Sequence, residues 1–163
     1  MELHRPAPLD RIGSQGSVID VQATAQELDA IASRLGVPSI QRLQCRFRIR
    51  RVGASLIEAV GQLRAAVEQV CVVSLDPFVQ DVAETFTVHF VPAGTEDDDP
   101  EPDSVDQVPY QGSVIDLGEA AVEQLALALD PYPRRPGARM ADPAHEGAAG
   151  PFAALTGLRL RPG

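Results

Sequence analysis

The sequence predicts an α+β domain in which an antiparallel, strongly curved β-meander is flanked by two main helices and followed by one long acidic loop. Three observations carry this reading. Residues 42 to 90 alternate apolar and polar side chains with period two, and segments near 24 to 35 and 117 to 129 repeat apolar residues at helical spacing. Seven carboxylates crowd into "EDDDPEPDSVD" between Glu96 and Asp106, so a net charge of −9 leaves only −2 for the rest of the chain. The 163 residues, 44% of them hydrophobic, suit a single core over residues 1–163. Both an open and a barrel-like sheet fit the pattern.

The first helix is expected at Thr24 to Leu35. Thr24 and Glu27 have capping-box spacing, Leu28, Ile31, Ala32 and Leu35 recur on one face, and Gly36 stops the turn. In "RLQCRFRIRRV" Leu43, Cys45, Phe47 and Ile49 take one face of a strand, while Arg42, Gln44, Arg46, Arg48 and Arg50 take the other. A three-residue loop, Gly53 to Ser55, returns the chain through "LIEAVGQLRAAV", which sets Arg50 opposite Glu58 and Phe47 opposite Gly61. "VEQVCVVSL" reads as a further strand with Val67, Cys71, Val73 and Leu75 on one face, broken by "DPF". "VAETFTVHF" follows with Phe86, Val88 and Phe90 inward and Thr85, Thr87 and His89 outward, completing at least four antiparallel strands.

Residues 93–109 are rich in Pro, Asp and Glu and poor in core formers, which predicts a solvated, mobile loop inside the domain. The second helix is expected at Leu117 to Leu129, capped by Asp116 with Glu119 three residues on. After Pro131 the composition is that of a loop, and "PFAALTGL" at Pro151 to Leu158 suits one short helix docking back on the sheet. The hexapeptide "QGSVID" occurs at Gln15 to Asp20 and again at Gln111 to Asp116. It does not mark a duplication, because the helices begin at different offsets from it and unrelated material follows each of them.

No stretch approaches the ~20 apolar residues of a membrane span, and "MELHRPAPLDRIG" lacks the apolar middle of a secretory signal, so a cytoplasmic location is expected. All 14 cationic side chains are arginine. Cys45 and Cys71 lack a C-x-x-C partner and read as buried, reduced and free of metal; His4, His89 and His145 are scattered. Phosphate-binding, nucleophile-elbow and zinc-protease motifs are absent, so no enzyme, cofactor or metal is expected. Asp10, Asp20 and Asp116 are the nearest approach to paired carboxylates, but turns and helix caps account for Asp20 and Asp116.

The arginine face is the one constellation with chemical content. Alternate residues on a strand stand ~6.6 Å apart, and guanidinium groups so spaced can meet successive phosphates bidentately and stack on exposed bases. Arg42, Arg46, Arg48 and Arg50 are therefore candidate RNA contacts. The plainer account is that the outer face of a half-buried strand must be polar, and that Glu58 neutralises part of it.

Taken whole, "GQLRAAVEQVCVVSLDPFVQDVAETFTVHFVP", an acidic gap, then "IDLGEAAVEQLALALDPYPRRPG" resembles the YceD family of large ribosomal RNA subunit accumulation proteins. "RIGSQGSVIDVQATAQELDAIASRLGVPSIQRLQCRFRIRR" and "PFAALTGLRL" are similar to the variant common among alphaproteobacteria. The strongest pieces are Gln69 to Pro77 and Ile115 to Pro133. The resemblance implies a non-enzymatic role in accumulation of large-subunit (23S) ribosomal RNA, with that RNA or ribosome assembly and processing proteins as partners and neither DNA nor membrane expected. Many members carry a C-x-R-C pattern and tail cysteines that suggest zinc, whereas this chain reads Cys71-Val72-Val73-Ser74 and has no cysteine in "RRPGARMADP". Two modes of action fit: RNA contact through the arginine-lined strand, or an adaptor holding a ribosomal protein or an rRNA-processing enzyme.

Overall fold

The computed structural model describes residues 2–96, 98 and 101–139. Strand β1 (Pro6–Pro8) leads through a 3-10 turn to β2 (Ser17–Gln22), which contains the last four residues of the first QGSVID. Helix α1 (Ala25–Leu35) starts where its capping box requires: Glu27 N–H donates to Thr24 Oγ1 at 3.4 Å, and Thr24 N–H donates to Glu27 Oε2 at 2.8 Å. Long strands β3 (Ser39–Val52), β4 (Leu56–Val70) and β5 (Pro77–Pro92) follow, then β6 (Asp106–Tyr110), β7 (Val114–Asp116) and helix α2 (Leu117–Ala128). The main sheet is open, in the order β2-β3-β4-β5-β6, and β1 pairs with β7 in a separate ribbon.

The β3–β4 hairpin has the expected register, with Arg50 opposite Glu58 and Phe47 opposite Gly61. The next expectation fails. β4 runs unbroken to Val70, and Cys71 to Asp76 form the reversal into β5 rather than a strand of their own. Cys71 N–H donates to the Asp76 carbonyl at 2.9 Å, Leu75 N–H donates to the Cys71 carbonyl at 2.8 Å, and Leu75 is left-handed with φ 61°. Alternation in "VEQVCVVSL" cannot mark where a hairpin turns, because β-branched residues suit both a strand and its end. The fourth antiparallel strand of the meander is β2, paired with β3.

A second departure lies in the acidic segment, whose last residues form β6 and pair in parallel with Val88–Pro92. Parallel pairing requires the chain to travel back along β5 before it can pair, so β5 and β6 are joined by a crossover connection. Pro109 in β6 obscures this in the sequence. Proline cannot donate to a ladder and is tolerated at an edge, which is where β6 stands.

One face of the sheet is closed by the helices. Leu43, Cys45, Phe47 and Ile49 of β3, Ile57, Leu63 and Val67 of β4, and Val88 and Phe90 of β5 are buried with Ile31 of α1 and Val122 and Leu125 of α2. Phe47 and Phe86 meet edge to face across Gly61, ring centroids 5.7 Å apart. Asp116 caps α2 by accepting from Gly118 N–H at 2.9 Å and Glu119 N–H at 3.2 Å, and it also accepts from Arg5 N–H at 3.0 Å. Gly118 permits this docking, since a Cβ there would lie 2.4 Å from the Leu3 carbonyl oxygen. The Arg5 guanidinium grips Glu27 through two nitrogens at 2.8 and 2.9 Å and the Gln22 carbonyl at 2.8 Å, which joins the leading segment to α1 and β2. The segment at Pro151 to Leu158 lies outside the described residues. Among the described residues no helix is long and apolar enough to cross a membrane.

Candidate nucleic-acid interface

Because side chains alternate along β3, burying Leu43, Cys45, Phe47 and Ile49 obliges Arg42, Gln44, Arg46, Arg48 and Arg50 to face away from the helices. All four candidate arginines are exposed on this outer face. Their electrostatic situations differ. Arg46 donates from Nε and Nη2 to the two carboxylate oxygens of Asp20 at 2.7 and 3.1 Å, and this holds the Asp20 carboxyl below its ordinary range. Arg50 donates from Nε to Glu58 at 2.6 Å and lowers that carboxyl in the same way, with His89 3.7 Å away on its other side. Arg42 stands 3.8 Å from Asp81, an open pair. Arg48 forms no ion pair among the described residues.

Arg64 is a fifth arginine of this face, missing from the candidates drawn from the sequence. It lies opposite Gln44 on β4 and is likewise without an ion pair among the described residues. The signal was available: the register that places Phe47 opposite Gly61 also places Gln44 opposite Arg64. Reading one strand at a time hides such a residue.

Between these side chains runs a shallow trough in two connected parts. One, of about 460 Å³, is lined by Asp20, Gln22, Gln44, Arg46, Gln62 and Arg64. The other, of about 170 Å³, is lined by Val18, Val60, Arg48, Arg46 and Gln62. Arg46 and Gln62 are common to both. Arg48 is flanked by Val18 on β2 and Val60 on β4, its partners in register, so a guanidinium without a carboxylate stands beside exposed apolar surface. Such a surface offers cations for phosphates, amides for base or ribose edges, and apolar contact for a base or sugar.

The remaining sequence candidates have separate places. Asp20 pairs with Arg46, Asp116 caps α2, and Asp10 lies in the 3-10 turn, so different partners and elements occupy the three carboxylates. Both cysteines are free and buried. Burial pushes the inward Cys45 thiol up to about 12. Cys71 has no place on a strand face: it anchors the β4–β5 reversal, where Ser74 N–H and Arg135 N–H approach its sulfur at 3.5 and 3.3 Å. The Ser74 side chain, followed by these backbone donors, outweighs burial and draws the thiol down to about 6. Among the described residues no group of three or more His, Cys, Asp or Glu side chains is placed to hold a metal ion.

A search of curated proteins and a search of solved structures both return no match. The scan against protein families does: the model described as "Large ribosomal RNA subunit accumulation protein YceD" matches residues 59–157, from near the start of β4 through α2 and beyond. That span includes both segments on which the resemblance rests most firmly, Gln69 to Pro77 and Ile115 to Pro133, and it covers more than half of the chain. The chain belongs to the YceD family.

Proposed function

We propose that this protein is a non-catalytic ribosome biogenesis factor that promotes accumulation of large-subunit (23S) ribosomal RNA in the cytoplasm by binding RNA directly along the outer face of its sheet. The role in rRNA accumulation is what the family's description implies. RNA contact is our inference, and one observation carries it: the trough on which Arg48 and Arg64, both without a carboxylate partner among the described residues, stand among Gln44, Gln62, Val18 and Val60. Arg46 and Arg50 share their charge with Asp20 and Glu58, and Arg42 faces Asp81, so these three are weaker phosphate ligands until RNA displaces the carboxylates.

The test is binding to fragments of large-subunit rRNA at several salt concentrations. Each phosphate neutralised releases counterion, so the slope of log affinity against log salt should shrink by about one for every contact removed. The double variant Arg48→Glu, Arg64→Glu should lose most of its affinity and show the flatter slope. Reversing Arg46 is less clean, because a glutamate there would face Asp20. Unchanged binding by the folded double variant would overturn direct contact through this face and leave the adaptor reading. Capture of partners from lysate separates the two readings independently, since ribonuclease should erase the captured set only if RNA is the bridge.

A further inference from the structure

On the helix side of the sheet lies a groove of about 840 Å³, bounded by α2, the end of α1, the β5–β6 pair and the described residues 101–105. Its floor is apolar, with Leu35, Val88, Val108 and Val122 contributing. At its lip Leu127, a large apolar side chain on the last turn of α2, is 72% exposed, with nothing among the described residues packed over it. The rim is anionic. Glu96, Glu101, Asp106 and Glu123 line it, and none of them forms a salt bridge among the described residues. The one cation among the described lining residues is Arg34, whose two terminal nitrogens are already taken by Glu2 at 2.9 Å and Glu119 at 2.7 Å.

We infer that this groove docks a cationic amphipathic segment of a partner protein, its apolar side chains on the floor beside Leu127 and its arginine or lysine groups on the Glu96, Glu101, Asp106 and Glu123 rim. Charge selects this occupant from the others. Nucleic acid and anionic lipid would bring phosphates against four carboxylates. A wholly apolar segment would desolvate the rim without compensation. A second copy of this chain would offer its unpaired Arg48 and Arg64 only as part of a broad sheet face, not as a segment that can enter a groove, and Arg42, Arg46 and Arg50 there stand beside carboxylates of their own. Partial burial and the neighbouring Glu119 already hold the Glu123 carboxyl above its ordinary range, the state an incoming cation would relieve. The inference is independent of RNA binding, because the groove opens on the helix side and the arginine trough on the opposite face.

The experiment uses the full chain and a fluorescein-labelled peptide of roughly 18 residues built from Leu, Ala and Arg, with leucines spaced to form one helical face. Two control peptides accompany it: the same composition scrambled, and the same leucine pattern with Glu replacing Arg. Fluorescence anisotropy at about physiological ionic strength should show binding of the patterned cationic peptide alone. Leu127→Ser, and separately the triple variant Glu101→Gln, Asp106→Asn, Glu123→Gln, should each weaken it by about tenfold or more. Equal binding of the scrambled peptide would reduce the effect to bulk charge and overturn the proposal. So would binding of the anionic peptide, no binding of any peptide, or variants that bind as the parent does. Circular dichroism on both variants guards against loss of fold, and Leu127, being exposed, is the safer of the two changes. Failure here leaves the RNA test untouched, since the rRNA fragments and the Arg48 and Arg64 variants probe the other face.

Discussion

Phe47 and Arg48 are consecutive on β3, yet one is sealed against Phe86 and the helices while the other is exposed, with no carboxylate partner among the described residues. Along β3 this contrast repeats from Leu43 to Arg50. The lesson concerns the separation of labour within a single strand. The inward set carries stability, because each member removes apolar surface from water and touches packed neighbours. The outward set is free to vary for binding, because exposed charge contributes little to folding.

The strongest way to break the comparison is to empty the inner face. Phe47→Ala should cost roughly 3–5 kcal/mol in urea unfolding, from lost transfer energy and the cavity left beneath Phe86. A smaller insult at the same place is Gly61→Ala, whose new Cβ would lie 2.3 Å from Phe86 Cζ. Phe86 is only half-buried and its ring can swing aside, so a loss of about 1–2 kcal/mol is expected, and Phe86→Leu in the same chain should recover part of it. Additive losses in that double-mutant cycle would show that the ring does not sit over the glycine.

Charge acts on folding where it joins elements, and Glu27 tests this. The Arg5 side chain, then the Thr24 backbone N–H, hold its carboxyl down to about 2. A folded value below the unfolded one supplies stability that is complete above about 4.5 and is lost as pH falls toward 2. Glu27→Gln should therefore cost about 1 kcal/mol at neutral pH, after allowance for solvent screening and partial retention of the cap. It should also flatten the decline of stability between pH 5 and 2 followed by urea titration at each pH, relative to the parent.

On the outer face, Arg48→Glu with Arg64→Glu should move the unfolding free energy by less than about 1 kcal/mol while removing RNA affinity. A large loss of stability would show that the two faces are not separable. Smallest of all should be replacement of residues 96–104 by a Gly-Ser linker of equal length, about 0.5 kcal/mol or less, since β6 and its pairing with β5 are kept and closure entropy changes little with length. A thermal midpoint that falls by many degrees would mean that this segment packs into the core.

How much of this could be read from the residues depends on the range of the signal. The β3–β4 register was legible from a short turn and two alternating runs, because a hairpin is a local object. Both helix starts were legible from Thr24 and Asp116, whose side chains act within three residues. The reversal at Cys71 was not, since Val70, Val72 and Val73 suit a strand as well as a turn flank. Nor was β6, because its parallel partner lies on the far side of an acidic crossover and Pro109 argues against a strand. The candidate face was legible for four arginines and not for Arg64, which joins them only once two strands are laid side by side.

The ribbon that pairs Pro6 with Asp116 has a consequence for how the chain assembles. Strands β2 to β5 pair in sequence order, each with the next, so the sheet can zip while the chain is still being made. Leu3 and Ala7 cannot complete their contacts until β7 and the first turn of α2 arrive, more than a hundred residues later, although the Arg5 guanidinium has Gln22 and Glu27 close at hand in the chain. Until then Phe47, Ile57 and Phe90 lie on a sheet face that α1 alone can cover, and α1 covers only part of it. In that interval the nascent protein carries a half-covered apolar face awaiting α2, and the ordering of residues 3–8 marks the moment at which that face is closed.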